Sequence, residues 1–198
     1  YVGLGANVGD PEATLVAAVR ALEELPSVRV RAVSRLYATE PVGVVDQPEF
    51  RNAVVALDVP RGPDPATGAL ALLIALKRIE RAFGRQDRER WGPRELDLDL
   101  LVFGRHEIAV ERPPDARSEN PAKPTDLVVP HRLAGERLFV LAPLADLAQR
   151  LVPPGWPETV ETARRRRIAI EGPDAVHPIA AWDAERRTWA PLAGGQPR

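Results

Sequence analysis

Between Gly84 and Phe103 the chain reads GRQDRERWGPRELDLDLLVF, a run whose residue types can handle phosphates and a divalent cation together. Asp97 and Asp99 lie two positions apart in the Leu- and Val-rich stretch Leu96 to Phe103. As a strand, that stretch places both carboxylates on one face and Leu96, Leu98, Leu100 and Val102 on the other. Two neighbouring carboxylates repel each other, and one pKa rises unless a cation or guanidinium sits between them. The chain has no cysteine, so oxygen ligation by these two groups favours a hard ion. Mg²⁺ takes one or two protein carboxylates and leaves its other positions to water and substrate phosphates. Immediately upstream stand Arg85, Arg88, Arg90 and Arg94, interleaved with Trp91, Gly92 and Pro93. Guanidinium forks match phosphate oxygens, and an exposed indole offers a plate for a ring. A basic loop followed by an acidic strand has the polarity of a magnesium–polyphosphate site. The plainer alternative is a solvated loop whose arginines pair with Glu89, Glu95 and Asp97.

These residues need a frame, and the flanking sequence predicts one. Tyr1 to Leu4 reads as a strand, and Asn7, Gly9 and Asp10 mark a turn into a helix that opens with Pro11 and Glu12. Leu15, Val19, Leu22 and Leu25 recur at helical spacing until Pro26. The turn GLGANVGD lacks the Lys-Ser or Lys-Thr of a P-loop, so it is read as fixing backbone geometry. Val28 to Tyr37 reads as a strand with one wet face, and Pro41, Gly43 and Pro48 mark a loop. Asn52 to Val59 is a strand with Ala53, Val55, Leu57 and Val59 on one face. After the Gly/Pro loop 61–65, Leu70, Leu73, Ile74, Leu76, Ile79 and Phe83 trace a helix closed by Gly84. Residues 105–125 are polar, carry four prolines and read as a loop. Beyond Leu151, Pro153 to Pro157 is a break and Arg164 to Arg167 a short basic run; residues 177–192 read as a hairpin pairing Trp182 with Trp189. The order strand, helix, strand, strand, helix, strand predicts an α+β fold with a ferredoxin-like βαββαβ core, its antiparallel sheet carrying helices on one face. The expected division is a domain over 1–151 and a C-terminal extension over 152–198. Such a core also serves RNA- and amino-acid-binding modules, so the fold leaves function open.

Composition narrows the classes. A chain of 198 residues with 44% hydrophobic residues supports one ordinary domain. A net charge of −1 argues against a general nucleic-acid binder. No apolar run reaches the ~20 residues of a membrane span, and no signal-peptide pattern opens the chain. The absence of cysteine is compatible with the cytoplasm. The chain opens at Tyr1 and contains no methionine, so an initiator and residues before Tyr1 are expected to be missing. The expected partners are small molecules, without nucleic acid or membrane, and the expected assembly is a monomer or weak homodimer.

The pattern GRxxxxRWGPRxLDLDL, over Gly84 to Leu100, resembles the signature of the 6-hydroxymethyl-7,8-dihydropterin pyrophosphokinase family. Two further segments share the resemblance: Tyr37, Thr39, Pro41, Gly43, Gln47, Pro48, Phe50 and Asn52 in that order, and a PH-x5-R-x-F segment matched by Pro130, His131, Arg137 and Phe139. The resemblance implies an ATP-dependent diphosphotransferase of folate biosynthesis that moves a diphosphate from ATP to the pterin hydroxymethyl group and releases AMP. It implies that Asp97 and Asp99 hold two Mg²⁺, and that Arg85, Arg94, His131 and Arg137 stabilise phosphate charge. Lys77, Glu80, Arg88 and Trp91 join Arg85, Arg94, His131 and Arg137 as ATP contacts. Thr39, Glu40, Pro41 and Val42 are expected to wall the pterin pocket, Phe50 and Phe139 to sandwich the ring, and Asn52 to read its polar edge, since an amide both donates and accepts. Read without the resemblance, Phe50 and Asn52 are a core ring and a turn amide, and Lys77 with Glu80 a surface salt bridge. The segment from Arg85 to Arg94 is expected to act as a lid over the nucleotide. The sequence departs from the family pattern at Ala6, where Ser is usual, and at Arg132, where Tyr or Pro is common. The loop after Arg85 is shorter, with Asp87 and Arg88 in place of a basic pair, and 105–125 is an insertion. Two other readings stay open: another Mg²⁺-dependent phosphoryl- or nucleotidyl-transferase, and a ferredoxin-like ligand- or RNA-binding module without catalysis.

Overall fold

Each half of the core begins with a strand or loop that hands over to a well-capped helix. Strand β1 (Val2–Ala6) buries Val2, Leu4 and Ala6 on one face. In the computed structural model, which describes residues 1–40, 46–85, 92–117 and 124–192, helix α1 (Pro11–Glu23) starts where the Asp10 side chain accepts the Ala13 N–H, with proline in the first turn. The run expected as one strand over 28–37 is two, β2 (Arg29–Val33) and β3 (Leu36–Thr39), both antiparallel to β4 (Phe50–Asp58). Ser34 causes the break. Its N–H donates to Val54 O at 2.9 Å while its hydroxyl accepts the Val54 N–H at 2.9 Å, so a side chain takes over part of the ladder. Helix α2 (Pro65–Ala82) is capped by Asp64, which accepts the Thr67 N–H at 2.9 Å, and the chain turns out of it at Gly84 with φ +81°, the expected glycine exit.

Strand β5 (Asp97–Leu100) follows on the free edge of the sheet, paired with β1. Residues 105–125, expected as loop, instead supply β6 (Ile108–Glu111), which pairs with β7 (Asp126–Val129) in a separate two-stranded ribbon. Ile108 anchors that ribbon in the main core. Helix α3 (Leu138–Ala148) comes next. Helix α4 (Val160–Glu171) contains the basic run of the C-terminal segment, where Arg164 and Arg165 pair with Glu161 at helical spacing and Arg167 pairs with Glu171. Strands β8 (Val176–Asp183) and β9 (Thr188–Pro191) form the hairpin, with Trp182 opposite Trp189 and ring centroids 4.8 Å apart, edge to face.

The sheet runs β5-β1-β4-β3-β8-β9, with β2 also on β4. One face packs Leu4, Val55, Leu98 and Leu100 against Leu15 and Val19 of α1 and Leu72 and Leu76 of α2. The other carries Val54, Leu101 and Val102 beneath Leu141 and Leu144 of α3 and Val160 and Ala163 of α4. The expectation of helices on one face therefore needs correction, because α3 and α4 cover the second face. Val102 also departs from its expected side. The chain leaves the strand after Leu100, Leu101 donates its N–H to Tyr1 O at 2.9 Å, and both residues enter the second cluster. Each fully buried Leu contributes about 1.5–3 kcal/mol of hydrophobic stabilisation. Among the described residues, no helix is long and apolar enough to cross a membrane.

Candidate active site

The ladder registers line up one row of residues on the α3 side of the sheet. Asp97 of β5 lies opposite Gly5, Gly5 opposite Asn52, and Asn52 opposite Tyr37. Directly paired residues share a face, so Asp97 and Asn52 look out on the same side with a glycine between them. A Cβ on Gly5 would stand 3.2 Å from Asn52 Oδ1, so the glycine makes room for that amide. Thr39, paired with Phe50, extends the row, and the Asn52 Nδ2 donates to Thr39 Oγ1 at 3.0 Å. Thr39 and Asn52 are both buried, whereas Phe50 is half-buried and Glu40 exposed. Phe139 lies in the first turn of α3, with the Arg137 guanidinium 5.6 Å from its ring centre. Phe50 and Phe139 do not touch each other; the ring pair in contact among the described residues is Trp182 with Trp189. Pro41, Val42, Arg88 and Trp91, expected at the site, lie outside the described residues, as does most of the expected lid.

At the acidic end, guanidinium groups resolve the expected repulsion. Arg85 Nη1 contacts both Asp97 Oδ1 and Glu80 Oε1, and Arg94 Nη1 donates to Asp97 Oδ2 at 3.0 Å. Burial would raise the Asp97 pKa, but Arg85, Arg94 and Lys77 outweigh it and hold the carboxyl well below the usual carboxylate range. Arg85 is in turn raised: burial opposes its charge, and Asp97 and Glu80 overcome it. Lys77 and Glu80 do form an ion pair, at 2.8 Å, but Glu80 is only 1% exposed and the pair is no surface bridge. Glu80 Oε1 accepts the Leu98 N–H at 2.7 Å and Lys77 Nζ donates to Leu98 O at 3.3 Å. The two side chains thus satisfy the outer edge of β5 in place of a further strand. That arrangement fixes the strand between Asp97 and Asp99.

His131 follows β7 and its N–H donates to Leu101 O at 2.9 Å. Its Nδ1 accepts the Leu133 N–H at 3.3 Å, which places the proton of the neutral ring on Nε2. Burial lowers its pKa; Asp99 and Asp97 act against the shift, while Arg137 and Arg112 add to it. The ring is therefore neutral at pH 7 and a donor through Nε2.

Three residues at this site escaped sequence reasoning. Asn7, 2% exposed, holds the loops on both sides, donating to Gln47 Oε1 at 3.1 Å and Pro48 O at 3.0 Å and accepting the Arg94 N–H at 2.8 Å. Its place directly after β1, in a turn already noted, was the available signal. Arg112 lies on the ribbon: burial lowers its pKa, against the pull of Asp99, Glu80 and Asp126. Asp146 of α3 accepts the Arg35 N–H at 3.1 Å and the Tyr37 hydroxyl at 3.0 Å, tying the helix to β3.

Carboxylates, guanidiniums and a neutral imidazole at one end of a sheet face, with an amide, a hydroxyl and aromatic rings along it, suit a polyphosphate beside a flat heterocycle. The family model for 7,8-dihydro-6-hydroxymethylpterin-pyrophosphokinase (HPPK) matches residues 1–149. The chain belongs to the HPPK family. It is 44% identical over 151 residues to the 2-amino-4-hydroxy-6-hydroxymethyldihydropteridine pyrophosphokinase of Pseudomonas aeruginosa, covering 76% of this chain and 81% of that relative. The enzyme of the same name from Methylorubrum extorquens is 42% identical over 163 residues, covering 82% and 89%. The fold is similar to that of Plasmodium falciparum HPPK-DHPS, with a TM-score of 0.68 at 14% identity over 96% of this chain; the chain spans 47% of that longer one. The HPPK match ends at residue 149, at the close of α3, and leaves α4, β8 and β9 outside it.

Proposed function

We infer that the chain transfers a diphosphate from ATP to the hydroxymethyl group of 6-hydroxymethyl-7,8-dihydropterin, giving AMP and the pterin diphosphate in folate synthesis. It is an ATP-dependent diphosphotransferase. The observation that carries the reading of its site is the clamp of Arg85 and Arg94 on Asp97, on the same sheet face that presents Asn52 and Thr39. The strand order β5-β1-β4 with β2 and β3 supports a ferredoxin-like βαββαβ core, with residues 152–198 as an extension of it. The protein acts on small molecules in the cytoplasm, as a monomer or weak homodimer.

The donor set fits Mg²⁺. Asp97 and Asp99 are oxygen donors on one strand face, Asp97 is held ionised, and no third His, Asp or Glu joins them among the described residues. Such a pair suits an ion that leaves most positions to water and phosphate, and Asp97 and Asp99 would hold two of them against the triphosphate. Magnesium bound there offsets charge on the phosphates.

The residues do the rest by position and electrostatics. Arg85 and Arg94, clamped on Asp97 in the free protein, are in place to donate to phosphate oxygens when the nucleotide arrives; His131 Nε2–H and Arg137 add donors. Phe50 and Phe139 take the two faces of the pterin, and Asn52 and Thr39 its polar edge. The pterin hydroxymethyl oxygen attacks the β-phosphorus in line, the bond from that phosphorus to the α,β-bridging oxygen breaks, AMP departs and the hydroxyl proton is lost. Incubation with ATP, Mg²⁺ and 6-hydroxymethyl-7,8-dihydropterin should yield AMP and the pterin diphosphate. ADP or free pyrophosphate as the product would replace this reading with another phosphoryl- or nucleotidyl-transfer.

A further inference from the structure

Helix α3 begins without a cap of its own. Arg137 stands at the N-cap position and makes no side-chain bond to the first turn, although the opening N–H groups of a helix need acceptors and carry partial positive charge. The acceptor comes from the C-terminal segment. Glu171, the last residue of α4, accepts the Leu138 N–H through Oε1 at 3.3 Å, and Arg167 Nε holds the same oxygen at 2.8 Å. Leu138 lies between Arg137 and Phe139, and it is 1% exposed. Its side chain packs with Tyr37, Ala142 and Val176, against which Ile168 and Ala175 also lie. Val176 in turn pairs with Thr39 in the β3–β8 ladder. The corner from Ile168 to Val176 therefore meets both halves of the pterin slot, the first turn of α3 and the end of β3.

We propose that Glu171 is a positioning residue for substrate binding: from the C-terminal segment, it fixes the turn that aims Arg137 and Phe139. This rests on the reading that those two residues meet ATP and pterin. Because Leu138 N–H and the Glu171 carboxylate form a charge-assisted bond at a helix start, its removal frees the Arg137–Leu138 peptide, one of the two that link Arg137 to Phe139.

Steady-state kinetics and hydrogen exchange on the full chain test it. Glu171→Ala should raise the KM for pterin and for ATP by about fivefold, the change that loss of one helix cap corresponds to, and exchange of the amides in the first turn of α3 should speed up. Glu171→Gln keeps an acceptor oxygen and should restore most of both. A merely structural role predicts instead a lower kcat from a smaller folded fraction, with both KM values unchanged. Should Glu171→Ala fail to fold, Arg167→Ala loosens the same carboxylate and should shift both KM values in the same direction by a smaller factor. If Phe139→Ala weakens pterin binding while the Glu171 and Arg167 variants leave both KM values alone, the positioning role is wrong and the site reading stands. If Arg137→Ala and Phe139→Ala leave both KM values unchanged, the site reading itself fails and this inference falls with it.

Discussion

Asn7 and Arg94 are joined by two hydrogen bonds: the Asn7 Oδ1 accepts the Arg94 N–H at 2.8 Å, and the Arg94 carbonyl accepts the Asn7 N–H at 3.0 Å. Through its Nδ2, the same side chain reaches Gln47 and Pro48. One buried amide at the end of β1 thus fastens the segment that carries Arg94 to the segment leading into Phe50. Asn7→Ala leaves the Arg94 N–H and the Pro48 carbonyl without their partner, a loss of about 1–3 kcal/mol in stability. It should also weaken binding of both ATP and pterin, measured by calorimetry. Unchanged affinity for both substrates in a folded Asn7→Ala protein would leave Asn7 a purely structural residue.

Asp97 and Asp99 should separate in stability while agreeing in activity. Asp97 receives two guanidiniums and its side chain is 24% exposed. Asp97→Asn therefore takes the Asp97 charge from both guanidiniums, leaving Arg85 with Glu80, and should lower the stability of the magnesium-free protein by about 1–3 kcal/mol. Asp99→Asn should cost less. Turnover should fall by at least about a hundredfold in each, the scale of losing a group that stabilises transition-state charge. Urea unfolding with and without Mg²⁺, alongside turnover, distinguishes the two effects; wild-type rates in either variant remove the metal-ligand assignment.

His131 gives the apo protein an acid-side sensitivity of known sign. Its folded pKa lies below the ordinary 6.5 because burial disfavours the imidazolium, so the unfolded chain binds more protons between those two values. The stability associated with neutral His131 is complete above about pH 6.5 and is lost as pH falls through the folded pKa. The wild type should therefore lose stability relative to His131→Asn as pH falls below 6.5. Equal slopes for the two proteins would mean that the ring titrates alike in the folded and unfolded states, and that burial does not shift it.

What could be read in advance was local. The turn through Asp10 into Pro11, the spacing of Leu15, Val19 and Leu22, and the glycine exit at Gly84 place the start of α1, its buried face and the end of α2 from neighbours within a few residues. The DLDL alternation likewise sets both carboxylates on one face. The hidden features depend on partners far along the chain. Ser34 splits a strand only because Val54 lies beside it, and β6 is a strand only because β7 pairs with it across a proline-rich stretch. Helix α4 has a thin apolar side, Val160 and Ala163, and leans on Arg–Glu pairs, so its sequence reads as a charge run. The turn position of Asn7 marks it only as a turn residue, and its role emerges when Arg94, Gln47 and Pro48 are brought to it.

Gly5 offers a test of the row that joins the two halves of the site. It lies between Asp97 and Asn52 in the ladder, and a Cβ there would meet Asn52 Oδ1 at 3.2 Å, closer than an amide tolerates without shifting by a few tenths of an ångström. The Asn52 amide is not free to yield, since its Nδ2 is committed to Thr39 Oγ1 at 3.0 Å in a buried setting. Gly5→Ala should therefore move the group assigned to the polar edge of the pterin while leaving the phosphate end, Arg85, Arg94 and His131, in place. The pterin KM should rise about tenfold, roughly 1.4 kcal/mol, with the ATP KM changing less than twofold. Overpacking of a sheet interior costs about 1–3 kcal/mol, so the variant should remain folded at 25 °C. A pterin KM equal to that of the wild type would show that Asn52 either relaxes without consequence or does not touch the pterin, and a double variant with Asn52→Ala decides between them: if Asn52 reads the ring, Asn52→Ala alone raises the pterin KM, and adding Gly5→Ala raises it no further.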